Sequence, residues 1–325
     1  MVRVEKDRGI IKKKKGERIM KGNKVFSRLD EIPSGMASKD ITEGCMVLEG
    51  GAFRGNYTSG VMDALMENGI NLSCTIGTSA GAMIGANYVA GHIGRAAKIN
   101  LRFRHDKRYM GPSVFRRNKG IIGFDFILAT YGGVDSTYPL NLARFFDPAK
   151  RFVAVTTNIK TGKPEYFEKG ECTDIFRAIA ASASMPMVSK PVSMDGQLYL
   201  DGGCADSIPF KWALNEGYEK IIVIKTRDDS YRKSDTETEL KIKRGFFRNY
   251  PKMADCFANR SKMYNKQCDE LDQLKKDGRI FVITPSKPIE ISRLEKDIEK
   301  LGEVYFLGYH DGLNIVDDVK KYLGM

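Results

Sequence analysis

The strongest constraint on the fold is a pair of apolar runs, each followed by a glycine-rich turn and then by helical spacing. Residues 45–48 end at a Gly-Gly pair, and residues 72–76 end at a Gly-x-Ser-x-Gly turn. Helical patterns follow over 56–68 and 80–89. Strand, helix, strand, helix in this order favours a right-handed parallel βαβ unit. In such a unit both turns lie at the same edge of the sheet, where α/β proteins usually bind ligands.

The rest of the chain alternates between strand and helix patterns, which favours an α/β fold. Residues 174–183 form a predicted helix, and the polar stretch 227–244 is expected to be a loop. Further strands are predicted over 152–157, 165–167, 191–194, 197–200, 221–224 and 281–283.

The positive charge is concentrated at the N-terminus. The chain of 325 residues has a formal net charge of +12, and residues 1–24 hold ten Lys or Arg against three acidic residues. We therefore expect a basic, disordered tail over 1–40, a catalytic domain over 41–325, and a helical C-terminal portion of undefined role over 229–325. Attraction of the tail to an anionic membrane is one alternative, and translation from Met20 is another.

The sequence pattern predicts neither a secretory signal nor a membrane-spanning segment. No apolar segment follows the first charges, and no run approaches 18 apolar residues. The six cysteines form no Cys-x-x-Cys pair, which argues against a zinc ribbon or a thioredoxin-type redox motif. We expect reduced cysteines and a cytoplasmic protein, with peripheral membrane contact as an option. No aromatic-interleaved basic motif suggests nucleic acid as a partner.

The turn formed by Gly77-Thr78-Ser79-Ala80-Gly81 has the spacing of a nucleophile elbow. The serine of such a turn is strained, and the glycines two residues away on either side, Gly77 and Gly81, relieve crowding around its Cβ. The following helix directs its N-terminus at the site and favours developing negative charge. The alternative is a glycine-rich strand-to-helix turn in which Ser79 is incidental.

Of three glycine-rich motifs, only the oxyanion loop fits the run Gly50-Gly51-Ala52-Phe53-Arg54-Gly55. It lacks the Gly-Lys-Ser/Thr ending of a phosphate-binding P-loop, and Ala52 replaces the second glycine of a dinucleotide fingerprint. An oxyanion loop needs only closely spaced backbone N–H groups, which this run offers. Arg54 is expected to pair with a local carboxylate, with a phosphate head group as the alternative.

Two residues compete as the base that activates Ser79. Asp201 ends an apolar strand and is followed by Gly202 and Gly203, which allow close approach of backbone or substrate. An aspartate is a useful base only where little water reaches it. Ser79, Asp201 and His310 also fall in the chain order of an α/β-hydrolase triad. His310 remains the rival base.

These three motifs, in this order, resemble those of the patatin-like phospholipase family, in its bacterial branch. The resemblance extends from about residue 41 to residue 224. It implies a three-layer α/β/α sandwich with a mostly parallel central sheet. It implies Ser79 as nucleophile and Asp201 as base, without histidine. Backbone donors would come from Gly50, Gly51 and Ala52, although the family more often has glycine at the last position.

The resemblance also implies a serine lipid acyl hydrolase, of phospholipase A or esterase type, that works through an acyl-enzyme. No metal and no cofactor are expected, and the partner is a phospholipid or another lipid ester. A soluble esterase or thioesterase is one alternative, and a non-catalytic lipid-binding protein is another. The oligomeric state, acyl chain and head group stay open.

Overall fold

The computed structural model describes residues 24–118, 120, 122–127 and 137–325. Ten strands are assigned within these ranges: β1 Gly35–Met36, β2 Thr42–Leu48, β3 Leu72–Thr78, β4 His92–Ile93, β5 Arg151–Asn158, β6 Pro164–Glu168, β7 Val192–Met194, β8 Gln197–Asp201, β9 Ile221–Ile224 and β10 Phe281–Ile283. The strands expected from the sequence are all present, with ends that differ by three residues or fewer.

The helices of the described ranges surround one large sheet. They are α1 Gly55–Glu67, α2 Ala80–Val89, α3 Arg95–Phe103, α4 Pro112–Asn118, α5 Leu142–Phe145, α6 Ile175–Ser182, α7 Phe210–Asn215, α8 Glu237–Phe246, α9 Pro251–Ala258, α10 Arg260–Lys276, α11 Ile298–Asn314 and α12 Val316–Leu323. Short 3₁₀ turns cover Leu29–Glu31, Ala52–Arg54 and Gly202–Cys204.

The central sheet has eight strands and is mostly parallel. Its order is β10-β9-β2-β3-β5-β8-β7, and β6 also pairs with β5. The pairs from β10 to β5 along this path are parallel, whereas β6, β7 and β8 are antiparallel to their neighbours. The parallel strands are buried on both faces, which explains their continuous apolar sequences.

Helices cover both faces of this sheet, so the expected three-layer α/β/α architecture is confirmed. On one face Val47, Ile76 and Val223 pack against Phe210 of α7 and Tyr264 of α10. On the other face, alternate residues of the same strands pack against α1, α2, α11 and α12. The period of two along each strand assigns successive side chains to opposite layers.

The segment from residue 24 to residue 40 was expected to belong to a disordered tail, and this boundary is wrong. Phe26 is 2% exposed, and its ring occupies the space where Gly302 of α11 lacks a side chain. Leu29 and Ile32 are also buried, and β1 pairs with β4. The ordered domain therefore starts before residue 41. The most basic part of the tail, residues 1–23, lies outside the described residues.

The C-terminal portion is an integral part of the domain. Its strand β10 extends the sheet beside β9. Helix α11 crosses α1 so closely that Gly60 and Gly308 each lie against the backbone of the opposite helix. Within 227–244, expected to be a loop, α8 begins at Glu237 behind a capping box formed by Thr236 and Glu239.

Candidate functional site

Ser79 lies on a sharp turn between β3 and α2, as the motif predicts. Its φ is +58° and its ψ is −122°, a strained conformation for a residue with a side chain. The flanking glycines permit this turn through close packing. A Cβ on Gly77 would lie 2.5 Å from the carbonyl carbon of Gly81, and a Cβ on Gly81 would lie 2.5 Å from the carbonyl oxygen of Leu48. The spacing of the motif therefore follows from contacts that exclude any larger residue.

The sheet register brings Asp201 to Ser79. Strand β3 pairs with β5 as far as Thr78 opposite Val155, and β8 pairs with β5 from Asp201 opposite Thr156. Because β6 occupies the other edge of β5 at these positions, β3 and β8 share one edge. The two strands run in opposite directions, so their carboxyl ends meet head to head. Ser79 and Asp201 are the residues at this junction.

The two side chains form a direct hydrogen bond in a buried setting. The Ser79 hydroxyl donates to Oδ2 of Asp201 at 2.7 Å, and the amide of Gly203 donates to Oδ1 at 2.8 Å. Ser79 is 8% exposed and Asp201 is 6% exposed. Burial raises the pKa of Asp201, while the charge of Arg260, the Ser79 hydroxyl and the Gly203 amide act in the opposite direction. Desolvation therefore makes the carboxylate more basic than a free aspartate.

The glycines after Asp201 are as constrained as those of the serine turn. A Cβ on Gly202 would overlap the carbonyl oxygen of Val155, and a Cβ on Gly203 would lie 3.0 Å from Oδ1 of Asp201. At the start of α1, a Cβ on Gly55 would lie 2.8 Å from Ile84. All three glycines that the sequence singled out here support the site through packing.

The three histidines contribute nothing to this contact. His310 is exposed on α11 and packs beside Phe306 and Tyr309. His92 follows α2, and its Nε2 accepts a hydrogen bond from the amide of Asn141. Burial lowers the pKa of His92 to about 4 and also lowers the pKa of His105. The titratable side chain in contact with the Ser79 hydroxyl is thus Asp201 and not a histidine.

The turn after β2 packs against the serine turn. A Cβ on Gly50 would lie 3.1 Å from Cβ of Ser79. The amide of Gly50 donates a hydrogen bond to the carbonyl of Ser207 and is therefore not free to bind an oxyanion. Of the three backbone donors expected from the sequence, two remain. The amides of Gly51 and Ala52 donate to no acceptor in the described part of the chain. Ala52 has a φ of +48°, which its side chain tolerates at some cost.

Ser182 is a site residue that sequence analysis missed. It ends α6, is fully buried, and its hydroxyl accepts a hydrogen bond of 2.8 Å from the backbone amide of Ser79. It lies in the small-residue run of a helix and carries no motif, so only its position in space identifies it.

A mostly apolar cavity of about 80 Å³ is lined in part by Ser79. Its walls include side chains from α2, α3 and the segments that follow them, together with Arg293 and Leu294. Apolar lining residues are Phe53, Met83, Ile84, Ile99, Met110, Ile122, Ile127 and Met185. Ser79 thus borders a space whose apolar lining suits a hydrocarbon chain.

Neither a metal cluster nor a membrane span is found within the described ranges. These residues contain no group of three or more His, Cys, Asp or Glu placed to hold a metal ion. None of their helices combines the length and the apolar character needed to cross a bilayer.

A sheet of this topology defines an α/β/α protein, and Ser79 lies on the strand-to-helix turn after one of its inner parallel strands. A family model described as "Patatin-like phospholipase" matches residues 46–214. The chain belongs to the patatin-like phospholipase family, as the sequence motifs indicated. A second model, a domain of unknown function called DUF6363, matches residues 250–324.

Relatives in other organisms match this chain to different extents. The uncharacterized protein YjjU of Escherichia coli K12 is 30% identical over 285 residues, which cover 86% of this chain and 78% of YjjU. The NTE family protein Rv1063c of Mycobacterium tuberculosis is 31% identical over 166 residues, 50% of this chain and 43% of that protein. The lysophospholipase nte1 of Aspergillus oryzae is 31% identical over 187 residues, 55% of this chain and only 11% of that protein.

Two solved structures match this chain at low sequence identity. VipD from Legionella pneumophila has a TM-score of 0.46 at 14% identity, over 93% of this chain and 72% of VipD. The type III effector ExoU has a TM-score of 0.37 at 12% identity, over 88% of this chain and 54% of ExoU.

Proposed function

We propose that this protein is a serine lipid acyl hydrolase that cleaves carboxylic esters through a dyad of Ser79 and Asp201. The observation that carries the proposal is the 2.7 Å hydrogen bond from the Ser79 hydroxyl to Asp201, in a serine that also lines an apolar cavity. A buried carboxylate with a raised pKa is a competent general base for a hydroxyl that it already contacts.

The reaction would proceed by acyl transfer in two halves. Oγ of Ser79 attacks the ester carbonyl carbon while its proton moves to Oδ2 of Asp201. The bond between the carbonyl carbon and the leaving oxygen then breaks, and Asp201 returns the proton to the leaving alcohol. In the second half water attacks the carbonyl carbon of the acyl-enzyme and loses a proton to Asp201. The bond between that carbon and Oγ of Ser79 then breaks, Asp201 returns the proton to Oγ, and the fatty acid leaves.

Negative charge that develops on the carbonyl oxygen needs donors already in place. The free amides of Gly51 and Ala52 lie in the turn that packs against Ser79, and the N-terminus of α2 points at the same place. Removal of a single preorganised oxyanion donor, an asparagine side chain, costs about 2.7–4 kcal/mol in a well-studied protease. We assign this role to Gly51 and Ala52, and not to Gly50.

Active-site labelling tests the dyad. A fluorophosphonate lipid-ester mimic should form an adduct on Ser79 in the wild type, located by peptide mapping. The change Asp201→Asn should slow the labelling strongly because the isosteric amide cannot accept the proton. Asp195→Asn is the matched control, since Asp195 belongs to the other Asp-Gly turn of the same hairpin and is exposed. Equal labelling rates in the two variants would refute the role of Asp201.

Chain-length dependence tests the lipid substrate. Each methylene that enters an apolar cavity contributes about 0.8 kcal/mol, so kcat/KM should rise roughly fourfold per methylene until the cavity is filled. Monomeric p-nitrophenyl esters from acetate to octanoate provide the series. A flat series would instead indicate a soluble esterase with little use for the apolar walls.

A further inference from the structure

Five cationic side chains lie within electrostatic reach of one another, two of them also within reach of Asp201, and are called here the basic cluster. They are Arg54, Arg227, Lys233, Arg260 and Arg293, and burial together with mutual repulsion lowers the pKa values of Arg54, Lys233 and Arg293. Arg293 lines the same cavity as Ser79. Four of the five follow β9, beyond the segment 46–214 that matches the patatin-like phospholipase model.

The basic cluster forms no ion pair with a carboxylate of the described residues, although Arg227 and Lys233 lie over the rings of Tyr231 and Tyr264. Arg54 is 8% exposed, its Nε is buried without a hydrogen-bond partner, and it makes no ion pair with a described residue. The Nε of Arg227 is likewise buried without a partner. Arg293 forms neither a hydrogen bond nor an ion pair within the described ranges. By contrast, Arg151 elsewhere on the sheet is bound by two carboxylates. Leaving a buried guanidinium donor unmatched is costly, which argues for a ligand.

The charges at the cluster do not balance. The carboxylates among the main neighbours that act on Arg54, Lys233 and Arg293 are Glu49 and Asp201. Glu49 is fully buried and already accepts hydrogen bonds from the amide and hydroxyl of Thr226. The pKa of Arg54 falls to about 10, mainly because the side chain is buried and to a smaller extent because of the positive charge of Arg227. A bound anion would relieve this repulsion.

The loop that carries Arg293 is fixed in place. Arg104, which stacks on Phe53 of the cavity wall, donates hydrogen bonds to the carbonyls of Leu294 and Glu295 at 2.9 Å and 2.5 Å. Arg260 donates to the carbonyl of Gly203, next to Asp201. The cations therefore stand at set positions beside the site instead of moving freely in solvent, which lowers the entropic cost of binding an anion.

We propose that the basic cluster is an anion subsite that holds the phosphate of a lipid head group while an ester of the same lipid lies at Ser79. The subsite selects lipids whose head group is negative overall and disfavours those that carry a quaternary ammonium. This inference rests on the proposed ester hydrolysis for its substrate. It gives the C-terminal segment, including part of 250–324, the role of recognising the head group.

The position of the cluster favours a lipid phosphate over a free phosphate. Arg293 meets the apolar wall formed by Phe53 and Met185 within one cavity. A ligand that fills both parts needs an anion joined to an acyl chain. Guanidinium groups suit phosphate because they offer parallel N–H donors to its oxygens.

Monomeric short-chain lipids test the selectivity without the charge of a membrane surface. Wild-type protein should hydrolyse dihexanoyl phosphatidylglycerol with a kcat/KM about tenfold or more above that for dihexanoyl phosphatidylcholine. Arg293→Gln should remove most of this preference. Lys276→Gln is the matched control, because Lys276 is exposed at the far end of α10, roughly 24 Å from Arg260 along the helix. It removes the same charge and should leave the preference intact.

Binding to a variant that does not turn over separates this inference from the proposed function. In the Ser79→Ala background, calorimetry should show that hexanoyl lysophosphatidate binds more tightly than hexanoylglycerol, and that Arg293→Gln weakens the binding about tenfold or more. Inorganic phosphate alone should bind much more weakly. Phosphate binding as tight as that of lysophosphatidate would overturn the lipid head group in favour of a free anion.

The remaining outcomes each decide between the two proposals. Ester hydrolysis without any preference for the anionic lipid, or an equal loss on all esters in Arg293→Gln, would overturn the subsite and leave the hydrolase standing. Tight binding of lysophosphatidate that needs Arg293, in a wild type that cleaves no ester, would preserve the subsite and overturn the hydrolase. If lysophosphatidate does not bind and the anionic lipid is not preferred, the anion subsite is refuted directly.

Discussion

The hydrogen bond from the Ser79 amide to Ser182 gives the sharpest test of how the fold holds the nucleophile. The backbone of Ser79 has a φ of +58°, and such strain costs of order 1–3 kcal/mol. Ser182→Ala removes the acceptor and leaves a buried N–H unpaired, which costs about 1–3 kcal/mol. The two quantities are similar, so loss of the bond should let the turn relax away from the geometry that directs Oγ at the substrate.

We expect Ser182→Ala to lower the free energy of unfolding by about 1–3 kcal/mol and kcat on a soluble ester by roughly ten- to a hundredfold. Urea unfolding and single-substrate kinetics measure the two effects. Ser184→Ala is the matched control, because the hydroxyl of Ser184 only donates back to the carbonyl of Ala180 within its own turn. If the kcat of Ser182→Ala equals that of Ser184→Ala, the hydrogen bond between Ser182 and the Ser79 amide does not hold Ser79 in place, and the reasoning fails.

Four further predictions follow from the site and the fold. Since only ionised Asp201 can take a proton, and burial raises its pKa, kcat/KM should fall on acidification with a midpoint above the value of about 4 for a free aspartate; a lower midpoint would contradict this. His310→Ala should leave ester hydrolysis nearly unchanged, whereas a thousandfold loss of activity in folded protein would support a triad of Ser79, Asp201 and His310. Gly308→Ala should lower the melting temperature markedly, because its Cβ would overlap the backbone of Tyr57, and an unchanged melting curve would contradict the close helix crossing. Deletion of 1–23 should weaken binding to anionic vesicles at low salt and spare hydrolysis of a soluble ester; unchanged binding would assign the attraction to the folded domain.

The N-terminal boundary shows where sequence reasoning met its limit. Phe26 and Ile32 belong to a stretch without a sustained apolar period, so the pattern predicted no element there. In the structure they fill space against α11 and other distant elements. A period detects an element that presents a regular face, whereas two apolar side chains that fill separate gaps leave no period. The start of helix α8, by contrast, could have been predicted, because Thr236 and Glu239 form a capping box whose Thr-x-x-Glu pattern is present in the sequence.

The sequence by itself determined the serine turn, the aspartate turn and the strands that carry them. These features are local. Glycines permit tight turns, apolar runs form buried strands, and each motif spans fewer than about ten consecutive residues. The predicted bounds of β2, β3, β5 and α2 agree with the structure within a few residues. The family followed from the same local motifs and their order.

Only the tertiary structure decided how these turns meet. Asp201 reaches Ser79 because β8 runs antiparallel to β3 along one edge of β5, a register that no local pattern specifies. Ser182 and Arg293 also come to the site from segments more than 100 residues from Ser79 in sequence. Chain periodicity records which face of an element is buried, but the partner of that face depends on packing across the whole domain.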